Sequence, residues 1–313
     1  MQTNLNTPAA AHHTARPSSL LVWVSALRPR TLPASIAPVL IGGAIAAHDH
    51  QFHLLSFSVA LIAAVFIQFG TNLANDYFDF KKGADRADRV GPVRVTQAGW
   101  LTPATVKRAF IICFAVAFLL GIYLVMRGGW PIVAIGLTAI LFGVLYTGGP
   151  APLGYTGLAD LFVLIYFGPI AVAGTYYVQT QSWSAASIIA GIAPGLFSVA
   201  ILTANNLRDI ETDTIAGKKT LSVRFGRSFG RWEYFLAMIV AHQIPILAYV
   251  TERSMLFLLP QITLPFALFL TMRVFQEREP RALITILEQT GQILLVHSVL
   301  YAAAWYLSTS TVP

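Results

Sequence analysis

Asp76 and Asp79 sit at the end of one apolar run, Asp85 follows shortly after, and Asp209 and Asp213 close a second apolar run. The first block reads Gly70-Thr71-Asn72-Leu73-Ala74-Asn75-Asp76-Tyr77-Phe78-Asp79, and the second Asn205-Asn206-Leu207-Arg208-Asp209-Ile210-Glu211-Thr212-Asp213. Residues three and four apart share one helix face. Asn72 with Asp76, Asn75 with Asp79, Asp76 with Asp79, and Asp209 with Asp213 can therefore each present two polar groups in one direction. A carboxylate at the centre of a bilayer costs at least ~2.5–3.5 kcal/mol, so it normally faces water, a cavity or a cation. Two such blocks in a chain with only 14 acidic residues point to a divalent metal.

Mg²⁺ usually takes one or two carboxylates, several waters and the phosphate oxygens of a substrate. Two blocks facing each other can hold two ions bridged by a diphosphate. Lys81, Lys82, Arg94, Arg208 and Lys218 are near enough in sequence to add charge-assisted hydrogen bonds to its oxygens. The competing reading is that the acids only mark a membrane boundary and the cations only fix topology. That reading is preferred for Lys107, Arg108, Arg227, Arg231, Arg278 and Arg281, but not for the paired aspartates. His48, Asp49, His50 and His53 read as a solvated turn on the opposite side.

The elements that position these residues follow from composition. The chain is 56% hydrophobic and 11% charged, against about 25% charged in soluble domains. Nine apolar runs are candidates to cross a bilayer as helices: 30–47, 54–75, 105–126, 130–147, 158–178, 185–206, 232–251, 254–272 and 290–308. The first, with Pro33 and Pro38, and the last, beginning among Glu288, Gln289 and Gln292, are the weakest. Lys and Arg concentrate in cytoplasmic loops. A cytoplasmic N-terminus puts 19 of the 21 on the inner side, with only Arg127 and Arg253 outside, and brings both aspartate blocks to the cytoplasmic face. The net charge of +7 is thus first a statement of topology. Residues 1–19 are polar and read as a disordered cytoplasmic tail, and 20–313 as a single transmembrane domain. Cys113, the one cysteine, excludes an internal disulfide and reads as packing. Loops 76–104 and 207–231 share an Asn/Asp start, a Lys–Gly or Gly–Lys pair and a closing Arg beside Gly, through either an internal repeat or coincidence.

The two blocks resemble the aspartate-rich motifs of the UbiA-type intramembrane prenyltransferases. Within that family, the run from Asn72 through Asn75-Asp76-Tyr77-Phe78-Asp79-Phe80-Lys81-Lys82-Gly83-Ala84-Asp85 is similar to the branch that prenylates 1,4-dihydroxy-2-naphthoate in menaquinone synthesis. So are Arg89-Val90-Gly91-Pro92-Val93-Arg94-Val95-Thr96-Gln97-Ala98-Gly99, Tyr155-Thr156-Gly157-Leu158-Ala159-Asp160, and Asn205-Asn206-Leu207-Arg208-Asp209 continuing to Gly217-Lys218-Lys219-Thr220-Leu221. The likeness runs from about residue 28 to 300 and covers nearly the whole chain.

The resemblance implies an all-α polytopic membrane protein of nine transmembrane helices around a central cavity, with Mg²⁺ as cofactor. Its substrates would be a polyprenyl diphosphate and 1,4-dihydroxy-2-naphthoate. The implied reaction gives demethylmenaquinone with loss of diphosphate and CO₂, in a bacterial inner membrane with the site facing the cytoplasm. By the same resemblance, Asn75, Asp76 and Asp79 hold one ion, completed by Asp85 or water, and Asp209 and Asp213 hold the other. Lys218 and Arg94 draw on the diphosphate, Tyr155 and Asp160 handle the acceptor, and Asn72, Lys82, Gln97, Asn206 and Arg208 contact substrate. No protein nucleophile is required. Gly83 stands where the 4-hydroxybenzoate branch carries a third Asp, which favours the naphthoate branch and leaves the role of Asp85 open. Asp160 can equally be a helix cap. The alternatives are another aromatic acceptor, phytyl transfer and, from a different class, a secondary transporter. A transporter would place its ionisable residues near the midplane, whereas these lie at span ends.

Overall fold

The structure, a computed structural model, describes residues 17–83 and 91–308, so Asp85 and most of the expected tail lie outside the described residues. Every regular element within them is helical. Eight helical segments are long and apolar enough to cross a membrane: Ser19–His48, Leu54–Lys81, Pro103–Gly128, Ala159–Thr180, Ala185–Arg208, Leu221–Glu252, Met255–Gln276 and Pro280–Ser308. A ninth, Trp130–Leu145, has 16 residues, which is about 24 Å of helix against a hydrocarbon core of about 30 Å. All nine expected runs are therefore helical, with shifted ends.

The shifts have local causes. In the first span α1 (Ser19–Leu27) ends at Arg28, which adopts a left-handed φ of 53° before Pro29, and α2 (Leu32–His48) starts afresh. α3 (Leu54–Lys81) is opened by His53, whose ring accepts the Ser56 N–H at 3.2 Å. Asp49 accepts the Tyr176 hydroxyl at 2.5 Å. The polar group at 48–53 thus closes helix ends. α4 (Pro103–Gly128) and α5 (Trp130–Leu145) follow, with Cys113 buried beside Phe110 and Phe114.

The fifth span is broken into α6 (Ala159–Tyr166) and α7 (Pro169–Thr180), because Pro169 cannot donate to a continuing helix. At the break Gly168 lies against α8 (Ala185–Arg208) so closely that a Cβ there would stand 2.4 Å from the Leu164 carbonyl oxygen and 2.6 Å from that of Gly191. Small residues permit such crossings in membranes, where packing rather than the hydrophobic effect holds helices together. After the short α9 (Ile210–Ile215), α10 (Leu221–Glu252) begins a full turn and more before the apolar run, with Gly226 at φ 87° inside it. A 3₁₀ stretch, Met255–Thr263, leads into α11 (Leu264–Gln276). α12 (Pro280–Ser308) starts ten residues earlier than its apolar run and carries within it Glu288, which is paired with Arg30. The largest core cluster joins α2, α8, α10 and α12 around Phe197, Tyr234, Met238 and Tyr301, and α3 to α7 enclose a cavity against the inner faces of α2 and α8.

Candidate active site

A cavity of about 770 Å³ lies among these helices. One end is lined by Asn75, Asp79, Arg94, Asp209, Asp213 and Lys218, and the remainder by apolar groups such as Ala63, Ile67, Leu124, Phe162 and Phe167. Its volume is that of a pocket which takes a sizeable organic ligand.

The first aspartate block occupies the last turns of α3. Asn72, Asn75 and Asp79 follow a three- and four-residue spacing and line the cavity. Asn72 Nδ2 donates to the Leu27 carbonyl and to Thr31 Oγ1, both at 3.0 Å, so it also fixes the elbow that brings Arg28 to the cavity wall. Asn75 Oδ1 accepts the Thr147 hydroxyl at 2.9 Å. Asp79 Oδ2 accepts from Arg94 Nη2 at 3.0 Å and Oδ1 from the Tyr155 hydroxyl at 3.2 Å.

Asp76 departs from the expectation that groups it with these ligands. One residue after Asn75 it points about 100° away around the helix. Its Oδ2 accepts the Val95 N–H at 3.1 Å and its Oδ1 the Thr96 N–H at 3.2 Å. It is 1% exposed and does not line the cavity.

The second block spans a helix break. Asp209 caps α8 and Asp213 comes one turn later in α9, its N–H on the Asp209 carbonyl at 2.7 Å. Arg208 is spent on Asp209, with contacts of 2.7 and 2.5 Å, and on Asn205 Oδ1 at 2.7 Å. It does not line the cavity, whereas Asn206 does. Lys218 Nζ meets Asp213 Oδ1 at 2.9 Å.

Tyr155 links the two blocks. Its hydroxyl reaches Asp79, while Lys82 and Lys218 lie 5.0 and 5.1 Å from its ring centroid. Lys82 stands outside the cavity lining and donates to the Thr147 carbonyl at 2.7 Å. The blocks also feel each other electrostatically. Burial draws the Lys218 ammonium down, but Asp79, Asp213 and Asp209 outweigh it and the net shift is upward. Burial pushes the Asp213 carboxyl up, Lys218 opposes this, and Asp209 and Asp79 add to the rise.

Two further expected site residues stand apart. Gln97 is half-buried in the loop and does not line the cavity. Asp160 lies in the first turn of α6, 7% exposed and outside the lining, and neither of its oxygens has a hydrogen-bond partner among the described residues. Arg28 and Tyr146 line the cavity and were not singled out in the sequence. The Arg-Pro-Arg run before the first span carried the only signal for Arg28.

The donor set fits a hard cation. It consists of oxygens from Asp79, Asp209, Asp213 and Asn75, and an ionised carboxylate has about four lone-pair sites, so each keeps acceptor capacity beyond its present bonds. Among the described residues no three His, Cys, Asp or Glu side chains are grouped closely enough to hold a metal ion by themselves.

A bundle of membrane helices enclosing an apolar chamber with a charged, oxygen-rich end defines an integral membrane protein with an internal ligand cavity. Residues 35–306 match the model of the UbiA prenyltransferase family, and the chain belongs to that family. A 1,4-dihydroxy-2-naphthoate octaprenyltransferase of Mycobacterium tuberculosis is 38% identical over 92% of this chain and 97% of its own length. A 2-carboxy-1,4-naphthoquinone phytyltransferase of Synechocystis is 30% identical over 76% of this chain and 77% of its own. Among solved structures, a UbiA homolog from Archaeoglobus fulgidus bound to GPP and Mg²⁺ is 14% identical, with a TM-score of 0.65 over 93% of this chain and all of the other, and shares its fold.

Proposed function

We propose that the protein joins the prenyl chain of a long polyprenyl diphosphate to 1,4-dihydroxy-2-naphthoate, releasing diphosphate and CO₂, in menaquinone synthesis. The observation that carries the reading is the polarity of the cavity, with paired acids and cations at one end and an apolar chamber behind. A diphosphate head and an isoprenoid tail have the same division. The Mycobacterium tuberculosis relative supports the naphthoate acceptor, and the Mg²⁺ bound to the Archaeoglobus fulgidus homolog supports the choice of metal.

In this reading Asn75 and Asp79 supply oxygens to one Mg²⁺, and Asp209 and Asp213 to another. Held there, the metal would supply stabilisation of the negative charge that builds on the diphosphate leaving group. Arg94 and Lys218 share the task, since each already lies beside an aspartate of the site and can reach a phosphate oxygen there. Bond cleavage leaves an allylic cation. The naphthoate ring attacks it at the carbon bearing the carboxylate, and the electron pair of the departing CO₂ restores the aromatic ring. Tyr155 holds Asp79 in place and lies where the acceptor meets the diphosphate end. The concentration of Lys and Arg on one side supports a cytoplasmic site in a bacterial inner membrane. A phytyl donor is the second reading, favoured by the Synechocystis relative.

Purified protein with Mg²⁺, a polyprenyl diphosphate and 1,4-dihydroxy-2-naphthoate is expected to yield prenylated naphthalenediol, CO₂ and diphosphate in equal amounts. Turnover with 4-hydroxybenzoate but not with the naphthoate would overturn the acceptor assignment.

A further inference from the structure

Asp76 shares its sequence motif with Asp79, yet the two carboxylates have different tasks. The segment Arg94–Ala98 forms one helical turn, with the Ala98 N–H on the Arg94 carbonyl at 2.9 Å, and Gly99 at φ 70° ends it. The first N–H groups of such a turn have no partner within it. Asp76 accepts two of them, those of Val95 and Thr96, at 3.1 and 3.2 Å. The turn is also pinned by Val95, fully buried in a cluster with Val22, Ala26 and Leu73. Arg94 is the residue just before these two amides, and its guanidinium reaches Asp79 at the cavity wall. Asp76 therefore grips the backbone on one side of the turn while Arg94 enters the site on the other.

We infer that Asp76 is a positioning residue that acts through Arg94 and is not a metal ligand; this rests on the two-metal reading above. Both Asp76 oxygens face these buried amides rather than the cavity that the other donor oxygens line, and turning them toward the cavity would leave the two N–H groups unpaired, which is costly. Asn at this position keeps one acceptor oxygen but turns an NH₂ group toward the other N–H, so one of the two bonds is lost.

The test compares the full-length wild type with D76N, D79N, R94A and D76N/R94A, reading diphosphate release against Mg²⁺ concentration. D76N is expected to lower kcat while leaving half-saturating Mg²⁺ within about twofold of wild type, whereas D79N raises the Mg²⁺ requirement by about tenfold or more. Because residues acting through one another are not additive, D76N/R94A should match R94A within about threefold. Hydrogen exchange on the wild-type protein reads the same bonds without a mutation. The Val95 and Thr96 amides should be equally protected with and without Mg²⁺ plus inorganic diphosphate. The inference is overturned if D76N raises the Mg²⁺ requirement as far as D79N, if the double variant shows the product of the single losses, or if adding Mg²⁺ and diphosphate exposes those amides. Wild-type turnover that ignores Mg²⁺ would instead sink the two-metal reading, and the double variant and exchange would still judge the grip on Arg94.

Discussion

Asp79 and Asp213 are the residues at which the two halves of the site meet, since both act on Lys218. Replacing either with Asn removes charge with little change of shape. Each substitution is expected to lower kcat by about 100-fold or more, as loss of a preorganised charge-stabilising group does, while circular dichroism and thermal unfolding in detergent stay near wild type. Retention of near-normal diphosphate release in both variants would remove the two-metal mechanism. Tyr155→Phe deletes only the hydroxyl on Asp79 and keeps the ring beside Lys82 and Lys218. A hydrogen bond to a charged group is worth about 1.5–3 kcal/mol, so roughly 10- to 100-fold in turnover is the expected cost, and Tyr155→Ala should cost more. The donor set was legible in the sequence because Asn and Asp at the end of an apolar run have few other uses. Which of its members faces the cavity was not. Asp76 and Arg208 carry the same chemistry as their neighbours, and only the loop amides in one case and Asp209 in the other reveal that they are already engaged.

The elements that matter most to the site are those the sequence left approximate. The elbow at Arg28 is held by Asn72, whose amide reaches across to the Leu27 carbonyl and Thr31. Asn72→Leu takes the α3 donor from the Leu27 carbonyl, while Gln68 of α3 still donates to Thr31 Oγ1 at 2.9 Å, and should destabilise the protein by about 1–3 kcal/mol, read as earlier unfolding in detergent together with a higher KM for the diphosphate donor. The break between α6 and α7 was invisible to an apolar count, which runs through it without a charge. Pro169 was a signal for it, but the reason Gly168 precedes it lies in α8. A Cβ at Gly168 would collide with carbonyl oxygens on both sides, and backbone cannot yield as a flexible side chain can. Gly168→Ala is expected to cost about 1–3 kcal/mol through overpacking, whereas Gly121→Ala, with nothing within 4 Å of its would-be Cβ, should leave the unfolding temperature unchanged. Equal effects of the two would refute the packing account. The early start of α12 was hidden for the opposite reason, since Glu288 argues against a membrane helix until Arg30 is seen beside it.

At the scale of the whole molecule the cavity joins two environments that no single helix contains. Ala63 and Asp79 both line it from α3, a separation of about 24 Å along the helix axis. Ala63→Phe fills the apolar end without touching the charged one. Turnover with a long polyprenyl diphosphate is expected to fall by about tenfold or more, while dimethylallyl diphosphate is used as before, because a packed wall resists added volume. Equal loss with both donors would show that the chain does not reach Ala63. The sequence by itself determined that this is a helical membrane protein, where its apolar segments lie, and which oxygen and nitrogen groups gather at their ends. Composition and run length suffice for that, because a bilayer leaves the backbone little choice but the helix. Tertiary structure alone decided that Asp79 and Asp213 share one cavity, that Asp76 holds a loop, and that Asp160 stands aside from the cavity. Adjacent helical residues point about 100° apart, so what each one meets depends on elements far away in the chain.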